Sequence, residues 1–242
     1  MNKYILLWLE GPLQSWGYNS KFGRRETLVF PTKSAIYGMF LAAMGKRGEQ
    51  KEFLETIAGY KQTVISYSKS HKKNKADDLF TTNSYLPKLL TDYHMIGSGY
   101  DNKDPWQNLL IPKKRDGTTP NTGGAKITYR YYLQDAKFSV IQEMESSLAE
   151  KISQALYNPT FEISLGRKSC VPTEFINQGV FDSYNDALEQ ANQIKNRKEL
   201  IEQFRVFEEE GLGEQFILDD VPLQFGQFKK YKSRIVSLVA YG

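Results

Sequence analysis

Apolar positions along this chain alternate between strand and helix spacing, and the elements they predict come in a definite order. Tyr4 to Leu9 is an unbroken apolar run, short enough for a buried strand. From Lys33 to Met44 apolar residues return at helical spacing, with Thr32 at the N-cap position and Gly45 as the stop. Gln50 to Ala58 predicts a second short helix with Phe53, Leu54 and Ile57 on one face. Lys61 to Tyr67 predicts a strand that places Thr63, Ile65 and Tyr67 on one side. The pattern then breaks. Residues 69–124 are dense in Gly, Pro, Asn, Asp and Lys and end at Gly123-Gly124, which marks a long insertion compatible with an extended hairpin. Strands follow at Lys126 to Leu133 and Ala136 to Glu143, with Gln134-Asp135 as a tight turn between them. Ser146 is the expected cap of a helix to Tyr157, striped by Leu148, Ile152, Ala155 and Leu156 and stopped by Asn158-Pro159. Thr160 to Leu165 is the expected last strand of this set.

This order is β-α-(α)-β, insertion, β-α-β. It predicts an α+β fold of the ferredoxin-like (RRM-like) kind, with four antiparallel strands and two helices on one face. Beyond Phe175 the pattern adds a helix over Tyr184 to Ile194. Strands near Phe204 to Phe207, Gln215 to Leu218 and Lys232 to Ala240 extend the sheet or pack beside it.

The loop between the first strand and first helix stands out. It is long for a connection between two well-marked elements, and it carries Trp16, Tyr18, Lys21, Phe22, Arg24 and Arg25. Gly11 and Gly17 bracket its first turn, without the spacing of a phosphate-binding P-loop. Trp16 fits two roles, a core anchor for the loop or a platform for a base. Phe30-Pro31-Thr32-Lys33-Ser34 opens the helix and offers backbone N–H groups, a cation and hydroxyls to an anion such as a backbone phosphate.

Composition narrows the chemistry. The 242 residues are 40% hydrophobic and 25% charged, ordinary for a soluble globular chain with one large or two small domains. No apolar stretch approaches bilayer length, and no secretory leader pattern opens the chain, so a cytoplasmic, membrane-free protein is expected. One cysteine, Cys170, and two histidines, His71 and His94, leave no disulfide framework and no multi-cysteine or His-rich metal site. No cofactor is implied. The net charge is +4, and its distribution says more than its size. Five lysines and no acid lie between Lys61 and Lys75; Lys113-Lys114-Arg115 and Lys229, Lys230, Lys232 and Arg234 form further basic clusters. Basic clusters interleaved with aromatics point towards nucleic acid, while Glu208-Glu209-Glu210 concentrates negative charge elsewhere.

Two more stretches carry chemistry. Leu165-Gly166-Arg167-Lys168-Ser169-Cys170 follows the expected strand and presents two cations and a hydroxyl from a glycine turn, the makings of a phosphate-contact loop. Cys170 is expected as packing rather than as a nucleophile. Asp92-Tyr93-His94 is the short stretch with acid–base potential: a Tyr–His pair beside lysines can activate a 2′-hydroxyl, and the alternative is a structural or RNA-contacting histidine.

Taken together, these pieces resemble a known family. The turn from Leu9 to Gly17, Phe30 to Ser34 with Gly38 and Gly45, Asp92-Tyr93-His94, and Leu165 to Pro172 resemble the Cas-five-type (CasD) subunits of type I-E CRISPR surveillance complexes (Cascade), within the RAMP superfamily. The resemblance spans most of the first 180 residues and fades to a general pattern near Pro222 and Arg234. It implies an RRM-like palm in two halves, residues 1–68 and 131–242 with a C-terminal extension, and a β-hairpin thumb over residues 69–130. It implies a non-catalytic subunit that caps the 5′ handle of CRISPR RNA and contacts a CasC-type backbone subunit and a CasA-type large subunit. Target DNA is then met only indirectly. The RNA-contact residues that follow are Trp16, Arg24, Arg25, Lys33, Ser34, Tyr37, His94, Lys113, Lys114, Arg115, Arg167, Lys168 and Ser169. The rival is a metal-independent endoribonuclease centred on Tyr93 and His94, as related type I-C proteins cleave the precursor with Tyr, Lys and His. A free single-strand RNA-binding module is the third possibility.

Overall fold

The computed structural model describes residues 1–18, 20, 23–69, 86–97, 99–119, 126–208 and 213–241. Lys21, Phe22, His71, Lys72, Lys73, Lys75, Gly123-Gly124 and Glu209-Glu210 lie outside the described residues.

Strand β1 (Asn2–Glu10) is the spine. It pairs antiparallel with β7 (Lys137–Glu145) along its whole length, Asn2 opposite Glu145 and Glu10 opposite Lys137, and with β8 (Asn177–Phe181) on its other edge. Next to β7 lies β4 (Gln62–Lys69), followed by β9 (Leu200–Phe207), β11 (Lys230–Ala240) and β10 (Glu214–Gln224), so the seven-stranded order is β10-β11-β9-β4-β7-β1-β8. The C-terminal strands thus extend the sheet.

Why β1 is apolar throughout follows from what covers it. Ile5, Leu7 and Leu9 join a core with helix α1 (Lys33–Ala43) and with Ala149, Ile152 and Leu156 of α4 (Ser146–Tyr157). Leu6 and Trp8 face the other way, against Ala187, Ala191 and Ile194 of α5 (Tyr184–Arg197). Both faces are covered, so alternation disappears. The expectation of helices on one face therefore needs α5 added to the other. The short helix α2 (Lys51–Ile57) contributes Leu54 and Ile57 to the first core, and a single helical turn, α3 (Pro105–Asn108), lies between β5 and β6 in the chain.

Three local expectations are corrected. Thr160 to Leu165 forms no strand; Thr160 and Phe161 donate their backbone N–H groups to the carbonyls of Ala43 and Ala42, at 2.9 and 3.2 Å, and so satisfy the end of α1. The strand that follows α4 is β8 instead. The cap of α4 is Glu145, not Ser146: its carboxylate accepts from the N–H groups of Ser147 and Leu148, both at 3.1 Å, where the helix dipole favours negative charge. The Ser147 hydroxyl, donating at 2.6 Å, and then those two N–H bonds hold the Glu145 carboxyl below the usual glutamate range.

The third correction positions the site. Strand β6 (Lys126–Gln134) does not form a hairpin with β7. It belongs to a second sheet with β2 (Leu13–Gln14), β3 (Arg24–Arg25) and β5 (Lys88–Ile96). The paired chains of β1 and β7 turn a corner together at Gly11-Pro12 and Asp135-Ala136 and continue as β2 and β6. Asp135 takes a positive φ of 50° there, and its N–H reaches Pro12 O at 3.1 Å. Gln14, fully buried, clamps the corner by donating to Leu9 O at 3.2 Å and Ala136 O at 2.7 Å. The β5–β6 hairpin, Lys88 opposite Gln134 and Ile96 opposite Lys126, projects from this corner. Among the described residues no helix is long and apolar enough to cross a membrane.

Candidate nucleic-acid interface

The long loop after β1 is built on Trp16, which is 0% exposed. Its indole N–H donates to Gln14 Oε1 at 3.2 Å, its backbone N–H to Thr27 Oγ1 at 2.7 Å, and its carbonyl accepts from Leu28 N at 2.8 Å. These bonds hold the outgoing and returning arms of the loop together, and burying so large a ring stabilises the arrangement by roughly 2–3 kcal/mol. Of its two possible roles Trp16 takes the anchor, and no face is left for a base. Tyr37 is likewise enclosed, its hydroxyl donating to Ile57 O at 2.7 Å, so it too leaves the set of base contacts. Burial pushes its phenol well above the usual tyrosine range.

The start of α1 is also occupied. Thr32 caps it as expected, accepting from Ala35 N. The next N–H, on Lys33, donates to Asp220 Oδ2 at 2.7 Å. A carboxylate from β10 thus fills the place offered to a phosphate. Asp220 is held by Arg234, whose Nε and Nη2 lie 2.6 and 2.7 Å from its two oxygens. Arg234 Nη1 also reaches Glu208 Oε1 at 2.7 Å, and Lys33 Nζ meets the same oxygen at 2.9 Å. Lys33 is buried, and burial pulls its pKa down against the opposing attraction of Glu208. The expected phosphate contact at Lys33 is corrected to a buried ion network. Ser34 stays half-buried on the rim of a polar cleft of about 550 Å³ shared with Gly17, Tyr18, Asp219, Lys229 and Tyr231.

The second loop packs directly on the first. Ser15 N donates to Leu165 O at 3.0 Å. Gly166 has φ +96°, and a Cβ there would come within 1.8 Å of Ser15 O, so only glycine lets the two backbones touch. Arg167 lies across the join, with its guanidinium 4.6 Å from the Tyr132 ring centroid and Nη2 donating to Arg25 O at 2.7 Å. Lys168 and Ser169 are exposed, whereas Cys170 is buried and its thiol is pushed up by that burial.

The hairpin supplies two faces. On one, Tyr93 and Tyr129 are directly opposite, in edge-to-face contact at 5.6 Å, and are 54% and 40% exposed. Exposed Arg24 pairs beside Tyr129, because β3 runs parallel to β6. The other face carries Asp92 opposite Arg130, with Arg25 beside Arg130 and half-buried His94 beyond. Tyr93 and His94 are neighbours on one strand and so point to opposite faces. They do not converge on one bond. Lys113, Lys114 and Arg115 are exposed in the connection between β5 and β6. Tyr129, Arg130 and Tyr132 were missed from sequence; the alternation over Lys126 to Leu133, laid against Leu89 to Met95, is the signal that finds them.

A further cleft of about 700 Å³ lies at the opposite end of β1, among Tyr4, Tyr184, Arg205, Phe207 and Tyr241. Its Arg205 is bound through two hydrogen bonds to Glu202, at 3.0 and 3.1 Å, and so offers little to a phosphate.

Comparison with known proteins agrees with this geometry. A family model described as CRISPR-associated protein (Cas_Cas5) matches residues 4–236. The CRISPR system Cascade subunit CasD of Escherichia coli (strain K12) is 26% identical over 175 residues, covering 70% of this chain and 67% of that protein. A chain of a solved CRISPR RNA-guided surveillance complex superposes with a TM-score of 0.69 at 25% identity, over 98% of this chain and 89% of that one. A crystal structure of a Cas protein has a TM-score of 0.57 at 24% identity, over 98% of this chain and 94% of that one, and is alike in fold.

Proposed function

The chain belongs to the CRISPR-associated Cas5 family, and from that premise we propose that it is the non-catalytic type I-E Cascade subunit that holds the 5′ handle of CRISPR RNA and seeds one end of the complex. The observation that carries this reading is the convergence of three segments distant in sequence. The Trp16-anchored loop, the Gly166–Ser169 turn and the β5–β6 hairpin meet at one corner of the sheet. Around that corner Arg24, Arg25, Tyr93, Tyr129, Lys168 and Ser169 are exposed and His94 and Arg130 half-buried, while Ser34 lines the polar cleft reached by Gly17 and Tyr18. Arginines, a lysine and hydroxyls suit phosphates; a pair of exposed tyrosines suits splayed bases. Lys113, Lys114 and Arg115 add positive charge in the connection between β5 and β6.

The fold supports the same assignment. The four central strands run β4-β7-β1-β8, with α1 and α2 connecting β1 to β4 and α4 connecting β7 to β8, the order of a ferredoxin-like palm. The β5–β6 hairpin enters between β4 and β7 as its thumb. Partners in this reading are the RNA, a CasC-type backbone subunit and a CasA-type large subunit. Target DNA is read by base pairing to the guide and not by this chain. The opposed directions of Tyr93 and His94 favour a binding role over cleavage.

The test is direct. Purified protein is incubated with precursor repeat RNA in EDTA, and with mature handle RNA. Binding of the handle without cleavage is expected. Site-specific cleavage that His94→Ala abolishes would overturn the reading in favour of an endoribonuclease. Failure to form a stable co-complex with a CasC-type subunit would leave a free RNA-binding module instead.

A further inference from the structure

Arg167 heads the cationic turn and is the side chain first expected on a phosphate. Its surroundings assign it a different task. Nη2 is committed to Arg25 O at 2.7 Å. The guanidinium carbon lies over the ring of Tyr132, a residue only 5% exposed, 4.6 Å from the ring centroid. Nη1 is buried and has no hydrogen-bond partner among the described residues. Its own backbone is fixed on both sides, by Gly166 against Ser15 O and by its carbonyl accepting from Cys170 N at 2.8 Å. The head group therefore touches β3 and β6 while its backbone belongs to the 165–170 turn. Among the described residues, strand β3 is held by the pairing of its two residues to β6 and by Tyr129 N donating to the Gly23 carbonyl at 2.8 Å, with Glu26 N on Ser20 Oγ at 3.0 Å just beyond it.

We propose that Arg167 is a positioning residue that pins β3 and the root of the hairpin to the palm turn, and so sets where Arg24, Arg25, Tyr93 and Tyr129 stand relative to Lys168. The chemistry requires arginine. A guanidinium can lie over a ring and still spend an N–H on a carbonyl beside it, whereas a lysine ammonium has one point of charge to offer. Nη1, buried among the described residues, is closed to a solvated phosphate.

This inference rests on the RNA-binding reading above, and the experiment separates the two. In RNA-free protein, hydrogen exchange at the Tyr129 amide is expected to rise about tenfold in Arg167→Ala and in Arg167→Lys. Tyr132→Leu, which removes the stacking surface alone, is expected to raise it as well. In titrations with handle RNA, Arg167→Ala is expected to weaken binding about tenfold through the displaced groups. Arg167→Lys is expected not to restore affinity. A slope reduced by about 0.7, with rescue by lysine, would make Arg167 a direct phosphate contact and overturn the proposal. Unaltered exchange and unaltered affinity in Arg167→Ala would overturn it equally. If the wild-type chain binds no handle RNA, the functional reading falls while the exchange result still decides whether Arg167 pins β3.

Discussion

Two turns of this chain offer the same donors to an anion. Thr32-Lys33-Ser34 at the start of α1 and Gly166 to Ser169 before β8 each combine backbone N–H groups, a lysine and a hydroxyl. Their fates differ. At the first turn, Asp220 already accepts the Lys33 N–H and Glu208 accepts the Lys33 ammonium, all in the interior. At the second, Lys168 and Ser169 face solvent while Arg167 is turned inward to a carbonyl and a ring. The difference lies in what the C-terminal strands deliver. Strands β10 and β11 bring Asp220 and Arg234 against α1, and Glu208, just after β9, adds the second carboxylate. Among the described residues nothing comparable is delivered to Lys168. An anion site is thus defined by what is missing opposite it as much as by the donors it presents.

The sharpest way to break the comparison is to remove the occupant. Asp220→Ala leaves the buried Arg234 guanidinium without its two-point partner and the Lys33 N–H without an acceptor. Breaking a buried pair by deleting one member costs about 3–5 kcal/mol. Urea denaturation is expected to show a loss of that size. A loss under about 1 kcal/mol would mean that this network is solvated, and Lys33 would return to the RNA-facing set.

A smaller effect is expected at the second turn. Gly166 occupies φ +96° with Ser15 O where a Cβ would go. Gly166→Ala must both strain the backbone and part the two loops, at a cost of about 1–3 kcal/mol. Handle binding is expected to fall with stability, since Lys168 moves with the turn. Normal stability and normal binding in this variant would show that the loops need not touch.

Much of the fold was legible because its signals are local. The cap at Thr32, the stop at Gly45, the run of β1 and the stripe of α4 are each written in neighbouring residues. The hairpin announced itself as a break in pattern between β4 and β7. What was not legible depends on partners far away in sequence. Asp220 is 187 positions from Lys33, and no local rule says that it will reach the helix start first. Trp16 had the composition of a stacking platform, and only its enclosure between Gln14 and Thr27 made it an anchor. Thr160 to Leu165 has strand composition, but the carbonyls at the end of α1 claimed its first N–H groups. The corner at Asp135 had the look of a hairpin turn because turn chemistry does not reveal whether the strands on either side share a sheet.

The smallest effect discriminates best between the two lysines. Lys168 is exposed, and truncating an exposed side chain free of special contacts changes stability by no more than about 0.5 kcal/mol. If it contacts a phosphate of a single-stranded handle, Lys168→Ala releases one fewer counterion, and the slope of log K against log salt is expected to fall by about 0.7. Lys33→Met is the control from the other turn. It removes a cation of the same formal charge, but one already neutralised by Glu208 inside the protein, so the salt slope is expected to stay where it was. Measured side by side in handle-RNA titrations, a slope that moves for Lys168 and holds for Lys33 sustains the distinction. A slope that moves for Lys33 would place RNA at the start of α1 despite Asp220, and the carboxylate would then have to yield its place when RNA binds.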